Sequence, residues 1–138
     1  MALNPGDLLN HERYRIVGLV GSGGFGAVYK AKDLNFGESR HVAIKENLLI
    51  TPQAREQFKH EANLLVDLNH PNLPRVTDFL ELPGGGQYMV MDFIAGQSLQ
   101  ELLEARDGPL TEAEVVPWIG QAAYALQYLH NRNPPIIH

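Results

Sequence analysis

The chain has 138 residues, 44% of them hydrophobic and 20% charged, which fits one globular domain or part of a larger one. Lys and Arg number 11 and Asp and Glu 16, a net charge of −5 without any basic block, which argues against a nucleic-acid or anionic-membrane partner. Cysteine is absent, so disulfides and cysteine-based zinc sites are excluded, and the sequence shows neither a signal core nor an apolar run of membrane-spanning length.

The first third predicts strands. Tyr14–Val20 is rich in apolar and β-branched residues. A glycine stretch follows, Gly21-Ser22-Gly23-Gly24-Phe25-Gly26. Ala27–Asp33 then alternates, with Val28, Lys30 and Lys32 on one face and Ala27, Tyr29 and Ala31 on the other. Strand, glycine turn and strand make a hairpin. Residues 35–39 read as a turn and residues 40–48 as a third strand. Thr51 and Pro52 open a helix that carries Phe58, Ala62, Leu65 and Leu68, and Asn69-His70-Pro71 ends it. Residues 73–81 and 87–94 read as two further strands joined by the turn Leu82-Pro83-Gly84-Gly85-Gly86.

Beyond Ile94 the chain turns helical. Ser98-Leu99-Gln100-Glu101 and Thr111-Glu112-Ala113-Glu114 both fit a capping box. The first opens a short helix with Leu99, Leu102 and Leu103. The second opens a longer one with Val115, Trp118, Ile119, Ala122, Leu126 and Leu129, in which Pro117 is expected to start or kink the regular part. The predicted class is α+β: a five-stranded antiparallel sheet with one packed helix, then two more helices.

Three features carry chemistry. The glycine string fits Gly-x-Gly-x-x-Gly, which serves dinucleotide folds and phosphate covers and also simply makes turns. A dinucleotide fold needs a helix next, whereas Ala27, Val28 and Tyr29 favour a strand. As a phosphate cover, bare backbone lets N–H groups approach phosphate oxygens, and Val28 can press on a flat base. Val42-Ala43-Ile44-Lys45 ends an apolar strand on a lysine; it either reaches solvent or supplies the point charge a polyphosphate needs. Glu61 shares a helix face with Phe58, Leu65 and Leu68, and a carboxylate buried there needs a cation such as Lys45. His60, His70, His130 and His138 fit no metal-ligand spacing, so no protein metal site is expected.

Glycine loop, strand lysine and helix glutamate in this order resemble the protein kinase family, in the flavour of bacterial serine/threonine kinases of the eukaryotic type. "LNHPNLPRVTDFLE", "YMVMDFIAGQSLQELL" and "LQYLHNRNPPIIH" extend the resemblance from Tyr14 to His138. It implies a kinase N-lobe with its hinge over residues 1–94 and the start of a helical C-lobe over residues 95–138. It also implies that ATP is held by Gly21, Ser22, Gly23, Gly24, Phe25 and Gly26, with Lys45 on the phosphates and Glu61 paired to Lys45. Val28 and Ala43 would cover the adenine, Met91 would back the pocket, and Asp92 and Ile94 would read its edge through their backbone. Leu65, Val76 and His138 match members of the regulatory spine.

The resemblance implies Mg²⁺ alongside ATP, a protein hydroxyl as acceptor and a cytoplasmic setting, with any membrane anchor outside these residues. The family's catalytic Asp and its metal-binding Asn and Asp have no match here, so these 138 residues alone are expected to transfer no phosphate. The alternative is a kinase-like module that binds nucleotide or a regulator without catalysis. The stripe of Trp118, Ile119, Leu126 and Leu129 is expected to drive self-association or to leave the last helix partly loose.

Overall fold

The computed structural model describes residues 3–24 and 26–137. These fall into two compact units. The first runs through Asn69 and resumes over Pro74–Ile94; the second is His70–Leu73 with the segment from Ala95 onward.

The first unit is a six-stranded antiparallel sheet in the order β1-β2-β3-β4-β6-β5. Its strands are β1 (Leu8–Leu9), β2 (Tyr14–Gly23), β3 (Gly26–Asp33), β4 (His41–Asn47), β5 (Val76–Glu81) and β6 (Gln87–Asp92). The sheet thus has one strand more than the sequence predicts. The extra strand is β1, whose two residues are too few to show any periodicity. It is fixed by main-chain bonds around it, Gly6 N–H to the Ile16 carbonyl and Ile16 N–H to the Asp7 carbonyl, each 2.9 Å. Asn10, His11 and Glu12 turn the chain from β1 into β2 with φ of 52°, 53° and 64°, a left-handed run that holds no glycine to announce it.

Antiparallel partners point their side chains to the same face, so the register sorts the sheet into two faces. Val28 pairs with Lys45, Lys45 with Met89, and Met89 with Phe79; Ala43 pairs with Met91. These residues share one face. The other face carries Ile16, Tyr29, Ile44, Tyr88 and Val90, all buried in one apolar core. That core closes because the sheet curls until the start of β2 reaches β5. Arg13 donates to both Asp33 and Asp78, and the Tyr14 hydroxyl donates to Asp78 at 3.1 Å, tying the start of β2 to β5. Burial and the Asp78 charge together push the Tyr14 phenol well above its ordinary range.

On the first face lies α1 (Pro52–Val66). Thr51 Oγ1 accepts from Ala54 N–H at 3.3 Å, and Pro52 stands where no N–H is needed. The helix ends at Val66, short of the predicted Asn69-His70-Pro71, because a tight bond from Leu68 N–H to the Leu65 carbonyl turns the chain first. Phe58 and Ala62 bury against Val76 and Met89, with Leu65, Phe79 and Met91 around them. α1 therefore covers the β5–β6 side of that face. On β6 both faces are covered, which is why Gln87, Tyr88, Met89 and Val90 are all buried in a row.

The second unit holds α2 (Leu99–Glu104) and α3 (Glu112–His130). Ser98 and Glu101 cap α2 reciprocally: Glu101 N–H donates to Ser98 Oγ at 3.2 Å, and Ser98 N–H donates to the Glu101 carboxylate at 2.7 Å. At α3 the Glu114 carboxylate accepts from both the N–H and the hydroxyl of Thr111. Pro117 lies inside α3 and so does not start it. Of the apolar stripe expected to be exposed, Ile119 is 61% and Leu126 38% exposed, but Leu129 is buried, so the open surface is narrower than the sequence implies.

His70 also belongs to this unit. Its ring lies 4.5 Å from Tyr124 and 5.0 Å from Tyr128 between ring centres. Its Nδ1 accepts from Asn72 N–H, while its buried Nε2 has no hydrogen-bond partner.

Glu114 gives this unit a pH dependence. Its hydrogen bond from Arg106 at 2.7 Å, and then those from Thr111, hold its pKa down, from the ordinary 4.5 to about 2. A carboxyl depressed in the folded state stabilises fully above its unfolded pKa and loses that effect as pH falls through the folded value. The first turn of α3 should therefore fray between pH 4.5 and about 2. Amide exchange at residues 112–116 measures it, and Glu114→Gln should flatten the profile; an unchanged profile would show that the carboxylate does not hold this turn.

Candidate nucleotide-binding site

The site is built where α1 stops covering its face of the sheet. Lys45 stands on β4 at that border, and Glu61 comes from the second turn past Ala54, on the same side of α1. Lys45 Nζ lies 2.8 Å from Glu61 Oε1 and 5.6 Å from the centre of the Phe58 ring. A cavity of about 360 Å³ opens between the end of β4 and the first turns of α1, with both charged groups in its wall. Their side chains are 31% and 43% exposed. A pair this solvated contributes only about 0–1 kcal/mol, so it marks the position of the helix more than it enforces it.

The uncovered part of the face continues from Lys45 to Val28 and on to Gly21, which pair in register across β4, β3 and β2. Val28 is half-buried and Ala43 is buried. Gly21, Ser22 and Gly23 belong to the ladder of β2, which runs on through most of the glycine string to Gly23. Phe25 lies outside the described residues.

The glycines divide into two kinds. A Cβ on Gly26 would meet the Glu46 carbonyl oxygen at 2.6 Å, so β3 and β4 require glycine there. At Gly21, Gly23 and Gly24 a Cβ would meet nothing within 4 Å. Packing among the described residues gives no reason for those three.

At the far end, Met91 is half-buried beside Ala43, and Asp92 binds Arg75 twice. The Asp92 N–H donates to the Arg75 carbonyl, and the Asp92 carboxylate accepts from Arg75 N–H, each at 3.0 Å. Next to it Phe93 receives Lys30 Nζ at 4.6 Å from its ring centre and His41 at 6.3 Å. Ile94 is 70% exposed. Leu65 and Val76 lie in the α1 cluster, while His138 lies outside the described residues.

One set of residues is invisible to motif reading. Gln87, only 2% exposed, donates from Nε2 to Glu81 Oε1 at 2.8 Å and to the Arg55 carbonyl at 3.4 Å. Its Oε1 accepts from Asn47 Nδ2 at 3.0 Å, and Asn47 also donates to the Ala54 carbonyl. Arg55 donates to the Gly85 carbonyl, and Glu81 faces Arg55 and Lys59 at 3.7 and 3.8 Å. The Gln87 hydrogen bond, ahead of the two cations, lowers the pKa of Glu81. The available signal was the hairpin itself, since Glu81 and Gln87 flank the five-residue turn and must pair across it.

The model of the protein tyrosine and serine/threonine kinase family matches residues 14–138. The chain belongs to the protein kinase family. Among curated kinases it is 36% identical to the serine/threonine-protein kinase pkn2 of Myxococcus xanthus, over 99% of this chain and 16% of that one. It is 33% identical to the probable serine/threonine-protein kinase YbdM of Bacillus subtilis, over 94% of this chain and 50% of that one. The kinase domain of Mycobacterium tuberculosis PknI matches 96% of this chain with 52% of its own, at a TM-score of 0.76 and 26% identity. The chain thus spans half or less of these two curated kinases and about half of that kinase domain, and its curled sheet with α1 and the following helices is the kinase N-lobe with early C-lobe helices.

Among the described residues no three His, Asp or Glu side chains converge on a point that could hold a metal ion. They therefore offer no ready-made carboxylate cluster for Mg²⁺. No helix among them is long and apolar enough to cross a membrane.

Proposed function

We propose that this chain grips ATP for a serine/threonine protein kinase, with phosphoryl transfer to protein hydroxyls as the activity of the whole protein. The observation that carries the reading is the Lys45–Glu61 pair at the border of the covered and open parts of one sheet face, in line with glycines that packing does not require. Lys45 would place its charge on the phosphates, and the bare backbone of Gly21–Gly24 would bring N–H groups to the phosphate oxygens. Val28 and Ala43 would press on the adenine, Met91 would stand behind it, and the backbone of Asp92 and Ile94 would meet its edge. The Asp92 N–H already donates to Arg75, which leaves its carbonyl for that contact. Also proposed are a protein acceptor, a cytoplasmic setting and contact with a second copy through the exposed Ile119 and Leu126.

Titration with Mg-ATP, followed by backbone amide NMR, tests the reading. Shifts should concentrate at residues 21–28, Lys45 and Ile94. An affinity near the millimolar scale, about −4 kcal/mol, is expected for the chain alone. Lys45→Ala should weaken it about tenfold or more, the scale of a hydrogen bond to a charged group. No shift at those residues at high millimolar ATP would leave the glycines as a hairpin turn and sink the proposal.

A further inference from the structure

The solvated Lys45–Glu61 contact is too weak to hold α1 in place, and α1 buries only Phe58 and Ala62. Phe58 and Ala62 anchor the middle of the helix on the sheet, while its first turn, Pro52–Arg55, buries no side chain. Directional bonds fix the rotation of that turn. They come from Gln87 and Asn47, which reach the carbonyls of Arg55 and Ala54 from β6 and the end of β4. Glu81 adds a second grip on Arg55 and Lys59 from the same hairpin. Ala54 and Glu61 are seven residues apart, two helical turns, and so lie on one side of α1. A rotation of the first turn therefore carries Glu61 with it.

We infer that Gln87, bridged to Asn47 and Glu81, is the positioning residue of the site: it sets the rotation of α1 so that Glu61 meets Lys45. Gln87 suits this role chemically. Its amide both donates and accepts, so one buried side chain links the sheet (Asn47), the hairpin (Glu81) and the helix backbone (Arg55) at once. A leucine of similar size fills the same space and keeps none of these links. The inference rests on the reading of Lys45 and Glu61 as phosphate-site residues for its bearing on nucleotide, but not for its bearing on the helix.

The test uses that separation. The chain contains no cysteine, so Ser39→Cys and His60→Cys, both at exposed positions, can carry two nitroxide labels, one on the β3–β4 turn and one on α1. Pulsed electron–electron resonance should give one distance population in the chain with Gln87. In Gln87→Leu a second population should appear while far-UV circular dichroism and the amide shifts of Tyr29 and Ile44, in the core of the other sheet face, stay put. Mg-ATP affinity should fall about fivefold or more, the scale of a lost buried hydrogen bond. A folded Gln87→Leu chain with an unchanged distance overturns the inference, whatever ATP does. If the chain with Gln87 binds no ATP, the nucleotide reading fails, and the label distances still decide the positioning role. Should Gln87→Leu not fold, the isosteric Asn47→Asp, which turns a donor into an acceptor facing Gln87 Oε1 and the Ala54 carbonyl, decides by the same distance measurement.

Discussion

Replacing Phe58 by Ala is expected to destabilise the first unit by about 3–5 kcal/mol. Phe58 is 6% exposed and is the largest side chain that α1 buries. Its ring packs against Phe79 at 5.9 Å and lies under Lys45 Nζ. Truncation leaves a cavity that Val76, Met89 and Phe79 cannot fill, because β6 is held between β4 and β5, and Val76 and Phe79 are held in register against it. The loss falls on one side of the sheet only, so α1 should come free before the core of Tyr29, Ile44 and Val90 does. Urea unfolding should show a lower midpoint, and amide exchange should show α1 opening first. A midpoint shift corresponding to less than about 1 kcal/mol would mean that α1 contributes little to the fold, contrary to its packing.

Gly26→Ala is the second large effect. The added methyl would sit 2.6 Å from the Glu46 carbonyl oxygen. That oxygen is main chain, on a residue of β4 that itself pairs with Tyr88 of β6, so it cannot swing aside as a side chain would. Separating β3 from β4 at this point costs about 1–3 kcal/mol, the usual range for overpacking. Gly21→Ala and Gly23→Ala should change stability by less than about 0.5 kcal/mol, since their added methyls meet open space. Under the proposed function the ranking reverses for ATP: Gly21→Ala and Gly23→Ala should weaken binding while leaving the fold intact. Melting curves for all three variants, run with and without Mg-ATP, separate the two kinds of glycine. Equal melting points for Gly26→Ala and Gly21→Ala would contradict the division.

The sequence made the strands legible where one face of each is buried. Ala27–Asp33 alternates, and β3 buries every second residue. It made α1 legible through Thr51, Pro52 and the spacing of Phe58 and Ala62, and the separate readings of Lys45 and Glu61 meet in space at 2.8 Å. It concealed β1, because two residues have no period and their pairing comes from backbone bonds. The tie among Gln87, Asn47 and the first turn of α1 was equally hidden. Amide side chains carry no charge or periodicity to betray them, and their partners are main-chain carbonyls that any residue could supply. The helix stripe on α3 was overread at Leu129, since helical spacing marks a face without saying how much of it is covered.

The bonds from Arg13 and Tyr14 to Asp78 span 65 and 64 residues of chain. Loop-closure entropy for such a contact is lost before the contact gives anything back. β2, β3 and β4 can pair as successive neighbours, but the core face stays open to water until β5 arrives and Asp78 finds Arg13. A growing chain released from the ribosome before Asp78 would expose Ile16, Tyr29 and Ile44 on a sheet with an unpaired edge, the kind of surface that recruits chaperones or other nascent chains. Sealing is thus an all-or-none late event, and Arg13, near the beginning of the chain, is among the last residues to take its place.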